Sequence, residues 1–187
     1  MLGIPEKFPA ASLSKDAAML ARYLLAAACA AVMSAPASAE GEVVRIKRNP
    51  SALILDAARV NAGADTIYVS GQLSSPLDPA MPMSEVDSLQ DMGDTRAQTI
   101  SVLGKIRDIL ATQGFSMSDV VKLTLFVAAD PGTGAMDFAG VNEGFRTFFG
   151  TPENPETVAR STFQVAGLVG PYYLIEIEAV AAKAPGS

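Results

Sequence analysis

The chain has no histidine and no tryptophan, and its single cysteine is Cys29. Without histidine there is no imidazole to act as a general base, no Ser-His-Asp triad, and little to hold a transition metal, so neither a metal site nor a cofactor is expected. Aromatic residues make up only 6% of the chain, and 14 Lys and Arg face 20 Asp and Glu, a net charge of −6. Such a surface repels phosphate backbones, which excludes nucleic acid as the expected partner. The apolar run from Tyr23 to Met33 is too short to cross a bilayer.

What the chain does contain is 187 residues, 49% hydrophobic and 18% charged, enough for one compact domain with a core. From Met19 it reads MLARYLLAAACAAVMSAPASAEG: Arg22 is a positive n-region, Tyr23 to Met33 an apolar h-region, and Ala37-Ser38-Ala39 a small-residue cleavage site before Glu40. The expectation is an export signal over 1–39, a single domain over 40–187, and a periplasmic or secreted product with no membrane contact once the signal is removed. Residues 1–18 then precede a second start at Met19, as a misassigned translation start or an extended n-region. Two alternatives are a buried Ala-rich helix and a lipid anchor through Cys29. Removing the signal also removes Lys7, Lys15 and Arg22 with Glu6 and Asp16, moving the net charge from −6 to −7. It leaves a mature chain without cysteine, hence without disulfides or thiol catalysis.

Along the rest of the chain, ALILDAARV and TIYVSGQ are β-branched and apolar around the turn residues NAGAD, which predicts a hairpin. Leu73 to Gly93 has three prolines and no period, and is expected to be a long loop that lines a site or moves. Ile100, Leu103, Ile106 and Leu110 give a first helix its inner face, with Asp94 as cap, Gly114 as stop, and Lys105, Arg107 and Asp108 on a solvated side. VVKLTLFVAA reads as a strand and ADPGTGAM as a turn. MDFAGVNEGFRTFFG reads as a second helix, with Phe138, Val141, Phe145, Phe148 and Phe149 facing inward. The stretch from Val158 and YYLIEIEAVAA supply two closing strands. The order predicts an α+β layer, a single sheet with two helices on one face.

Within VARSTFQVAG, a period of two puts Arg160, Thr162 and Gln164 on one face and Ser161, Phe163 and Val165 on the other. A lone cation thus sits among small and apolar neighbours with no acid beside it. Glu176 and Glu178 share a strand face roughly 6.5 to 7 Å apart. Carboxylates side by side on one strand cannot flank a glycosidic bond, which excludes that chemistry.

Several segments, in order, resemble the Rid family, the YjgF-like (RidA) reactive intermediate deaminases: VSGQ, AQT, MSDVVKLTLFV, DFAGVNEGFRTFF, ARST and IEIEAVAA, over about Ala52 to Ala182. The resemblance implies a chorismate-mutase-like α+β fold, a homotrimer with clefts between subunits, and cofactor-free hydrolysis of small 2-imino or enamino acids to 2-keto acids and ammonia. It implies that Arg160 grips the substrate carboxylate, that Ser70 and Asn142 line the pocket, and that Glu176 handles the attacking water. Three positions depart from the family: Leu55-Asp56-Ala57 replaces a Gly-Pro-Tyr segment, so a tyrosine hydroxyl is missing; Thr162 stands where many members have cysteine; and Val158 replaces a proline.

Each residue also has a plainer reading. Arg160 could pair with an acid across a subunit interface, Asn142 could satisfy local backbone, and Ser70 could shape a strand end. Gly71 allows close backbone approach, suiting either a pocket wall or a bulge. Thr162 has no neighbouring base and is assigned to pocket shape. A guanidinium offers two parallel donors to a carboxylate, and with no imidazole or thiol a carboxylate is the natural group to orient water. The expected function is therefore an imine/enamine deaminase, a hydrolase acting on a small carboxylate-bearing metabolite. The rival is a non-catalytic carboxylate-binding or holdase-like member of the same family; ribonuclease activity fits poorly with the charge and the missing histidine.

Overall fold

A computed structural model of the protein describes residues 40–187. The expected export signal, its cleavage site and Cys29 lie outside the described residues. Six strands form: β1 (Val43–Ile46), β2 (Ala57–Val60), β3 (Asp65–Leu73), β4 (Val120–Val127), β5 (Ala159–Gln164) and β6 (Ile175–Lys183). The helices are α1 (Leu89–Met92), α2 (Thr95–Thr112) and α3 (Phe138–Phe145).

The main sheet has the order β3-β6-β4-β5. The β3/β6 and β6/β4 pairs are antiparallel, whereas β4 and β5 run parallel. A parallel pair needs a crossover, and α3 provides it. Alternation decides the faces. Leu123, Leu125 and Val127 of β4 and Ile175, Ile177, Ala179 and Ala181 of β6 are buried beneath the helices. Lys122, Thr124, Phe126, Glu176, Glu178 and Val180 therefore point to the opposite, open face.

Helix α2 brings Val102, Leu103, Ile106 and Leu110 to the core, and the Asp94 side chain caps it by accepting from the Ala97 amide at 2.7 Å. Against it packs α3, where Gly144 lets the helices touch; a Cβ there would lie 2.6 Å from Cβ of Thr99. Phe145 stacks on Phe149 at 4.6 Å between ring centroids. Gln98 of α2 is fully buried with its amide satisfied: it donates to the carbonyls of Gly93 and Tyr172 and accepts from the Leu174 amide and the Ser74 hydroxyl. That single side chain fixes the loop leading into β6.

Four expectations are corrected. The hairpin between the two early segments does not form: β2 pairs with β1 in a separate two-stranded ribbon, and β3 pairs with β6. The cause is placement, because Leu55 bridges to Ala159 at the β5 edge while β3 forms the opposite edge of the sheet. The second helix stops at Phe145, leaving Phe148 half-buried beyond it, and Phe138 at its start is exposed rather than inward. The loop after β3 is not structureless: it holds a 3₁₀ turn at Met83–Glu85 and α1, capped by Ser88 and Asp91. Lys105 is not solvated. It is half-buried, donates to the Leu73 carbonyl at 2.7 Å, and has its pKa lowered by burial.

Candidate active site

Arg160 lies in register with Leu123, so its side chain points to the helix-covered face. There it meets α3. One terminal nitrogen donates to Asn142 Oδ1 at 2.7 Å, and the guanidinium carbon sits 4.7 Å from the ring centre of Phe145 and 5.7 Å from that of Phe138. The other terminal nitrogen, Nη1, is buried without a hydrogen-bond partner. No carboxylate pairs with Arg160 among the described residues. Burial, with the nearby positive charge of Arg146 as a second cause, lowers its pKa from the ordinary arginine value to about 10. A cation left this way is short of an anion.

Asn142 therefore serves Arg160 with its side-chain oxygen, which decides against the local-backbone reading. Thr162 follows Arg160 by two residues on the same face, in register with Leu125, and is half-buried. These three residues form one cluster.

Ser70, Gly71 and Glu176 form another. The pairing of β3 with β6 is irregular between Val69 and Gln72, so Ser70 and Gly71 occupy a bulge, and Ser70 is exposed there. Glu176 stands beside this bulge on the open face, in register with Leu73 and Phe126. Its carboxylate lies across Gly71: a Cβ on Gly71 would fall 1.9 Å from Glu176 Oε1. Gly71 thus sits in the bulge, where its lack of a Cβ leaves room for the Glu176 carboxylate.

The two clusters do not meet within one chain. Arg160 and Glu176 lie on opposite faces and two strands apart, with their rows offset by three residues along β4. Strand spacings of about 4.8 Å and a rise of about 3.3 Å per residue put their backbones roughly 14 Å apart. The open face also carries apolar surface that no described residue covers, with Tyr68 at 79% and Phe163 at 53% exposure. Where the family tyrosine is missing, Asp56 is bound by Arg48 at 2.7 Å, and that ion pair holds its carboxyl below the usual range. The aromatic platform under Arg160 was legible only as core, because Phe145 shows an inward helical period and nothing in the sequence tells which core ring meets a cation.

A cavity of about 410 Å³ opens between the ends of β4 and β5 and the loop that Gln98 fixes, lined by Ala128, Ala166, Val169, Pro171, Tyr173 and Leu174 among others. It adjoins the start of β6, two residues from Glu176.

The Endoribonuclease L-PSP family model matches residues 56–183. A RutC family protein of Pyrococcus horikoshii is 32% identical over 142 residues, covering 76% of this chain and 98% of its own. The 3-aminoacrylate deaminase RutC of Acinetobacter baylyi is 36% identical over 115 residues, 62% of this chain and 77% of that protein. Among solved structures, a member of the conserved Rid family from Yersinia pestis aligns with a TM-score of 0.55 at 25% identity, over 74% of this chain and 97% of its own. The strand order, the helices on one face and these matches agree: the chain belongs to the Rid (YjgF) family.

Proposed function

We propose that the protein is a cofactor-free deaminase that hydrolyses small 2-imino or enamino acids to 2-keto acids and ammonia. The observation that carries this reading is Arg160, a buried guanidinium whose Nη1 has no partner and whose neighbours are aromatic rings and one amide. A substrate carboxylate supplies the missing charge, and the planar fork orients it. The carbon bearing the protonated C=N is already electrophilic. Water adds to it, giving up a proton to Glu176, which passes that proton to the nitrogen of the resulting amino alcohol. Ammonia then leaves as the hydroxyl proton goes to Glu176, and ammonia takes that proton as it departs, leaving the ketone and a carboxylate ready for the next turn. The net reaction consumes one water and releases ammonium, with no redox step.

Because Arg160 and Glu176 face apart in one chain, the reading requires two copies to build one cleft. A homotrimer that sets the β5 edge and α3 of one subunit, where Arg160 lies, against the open sheet face of the next, where Glu176 lies, meets that requirement and covers Tyr68 and Phe163. The deaminase named among the relatives supports the same class of chemistry. The missing tyrosine supports the rival, a carboxylate-binding member without turnover.

The test generates 2-iminopropanoate with an amino acid oxidase and measures ammonia release and late capture of surviving imine by semicarbazide. Wild type shortens the imine lifetime and Arg160→Ala does not. Carboxylate binding without any shortening of that lifetime establishes the rival instead.

A further inference from the structure

A cavity of about 380 Å³ lies where the loop after β1 meets the end of α3, lined by Lys47, Ser51, Arg146, Phe149 and Thr157 among others. It contains two cations and no acid. Neither Lys47 nor Arg146 has a carboxylate partner among the described residues, and Lys47 is half-buried. Of the carboxylates close in sequence to the lining residues, Asp56 pairs with Arg48, Glu156 with Arg45 at 3.1 Å and Glu143 with Arg96 at 3.6 Å, while Glu153 lines a different cavity, beside Phe115 and Met117. In a chain of net charge −6, an uncompensated positive pair in a recess is a place for an anion.

Arg146, at the end of α3, links the recess to the Arg160 cluster. Arg146 follows Asn142 by one helical turn, its amide donating to the Asn142 carbonyl at 3.1 Å, and Asn142 is the residue that holds Arg160. Side chains one turn apart have Cβ atoms about 5–6 Å from each other. The two guanidiniums are near enough for Arg146 to disfavour the charge on Arg160. Each therefore gains from an anion at the other.

We propose that Arg146 and Lys47 form a second anion subsite beside Arg160, so that the preferred substrate is a 2-imino acid with a second carboxylate on its side chain, of aspartate or glutamate size. This rests on the reading that Arg160 holds the first carboxylate. A monocarboxylic imine fills Arg160 alone and leaves the cavity charge unpaired; a dicarboxylic one answers both.

The experiment compares imines made in situ by oxidases from glutamate and from alanine, with wild type, Arg146→Ala and Lys47→Ala. In wild type, kcat/KM for the diacid exceeds that for the monoacid, and the ratio falls at least tenfold in Arg146→Ala and less in Lys47→Ala. A parallel calorimetric arm measures 2-oxoglutarate and 2-oxobutanoate, so the subsite is read even if no imine is hydrolysed. There the diacid binds more tightly to wild type, Arg146→Ala levels the two, and Arg160→Ala weakens both. Equal affinities in wild type, a ratio unchanged in Arg146→Ala, or no binding of either acid overturns the proposal. Absent turnover with the diacid preference intact overturns the deaminase reading alone.

Discussion

Replacing Gly71 with alanine tests whether the Glu176 carboxylate acts from the seat described here. The new methyl would meet Oε1 at 1.9 Å and Cδ at 2.8 Å, so restoring an ordinary 3.4 Å contact drives the oxygen back by about 1.5 Å. A displacement of about 1 Å in a reacting group can cost roughly a hundredfold in rate, or ~2.7 kcal/mol of transition-state stabilisation. The fold is spared. Gly71 does not occupy the left-handed region, and the atom that must move is the free end of a side chain on the open face. Alanine restricts the unfolded chain and returns about 0.4–1 kcal/mol, so net stability stays within about 1 kcal/mol of wild type. The assay is imine hydrolysis beside thermal unfolding, for Gly71→Ala, Glu176→Gln and the double variant. Both single variants should lose at least a hundredfold, and the double should be no slower than Glu176→Gln, because both act on one group. Full activity in Gly71→Ala, or losses that multiply in the double, would refute the reasoning.

Asn142→Asp puts a carboxylate on the nitrogen that Asn142 now holds at 2.7 Å, so stability should rise by about 1 kcal/mol while affinity for 2-oxobutanoate falls at least tenfold. Opposite signs in calorimetry and thermal unfolding are the check. In the folded chain burial holds the Arg160 pKa down at about 10, below the ordinary arginine value. For a cation lowered by folding, the stability cost of holding the charge is complete below about 10 and is relieved as pH rises through that value toward the ordinary arginine pKa. Carboxylate affinity moves the other way, level at neutral pH and lost above about 10; an affinity unchanged at still higher pH contradicts the assignment. Phe163→Asp places a charge on the uncovered sheet face, half-exposed in the single chain. It should yield folded monomers without hydrolytic activity, measured by sedimentation and circular dichroism.

The sequence carried the helices and the central strands because their periods are strong: Leu103, Ile106 and Leu110 recur as a helix face, and Leu123, Leu125 and Val127 alternate as a strand. It misled at β2. Turn chemistry at NAGAD says that the chain reverses, not which strand receives it, and the pairing was set by Leu55 reaching Ala159 more than a hundred residues away. The cation at 160 was visible as unneutralised from its neighbours alone. That its partner would be Asn142, on a helix 18 residues earlier, was not, since helix-to-strand contact depends on the crossover. Lys105 misled for a related reason: a lysine on the outer arc of a helix looks solvated until a neighbouring strand end presents a carbonyl to it.

The placement of Arg160 and Glu176 on opposite faces has a genetic corollary. If every cleft joins the guanidinium of one subunit to the carboxylate of the next, Arg160→Ala and Glu176→Gln chains, each inert alone, complement when unfolded together and reassembled. A site is whole only where an intact arginine borders an intact glutamate, so an equal mixture should regain roughly a quarter of the wild-type rate. Cells carrying both defective alleles would then retain a function that neither allele supports alone.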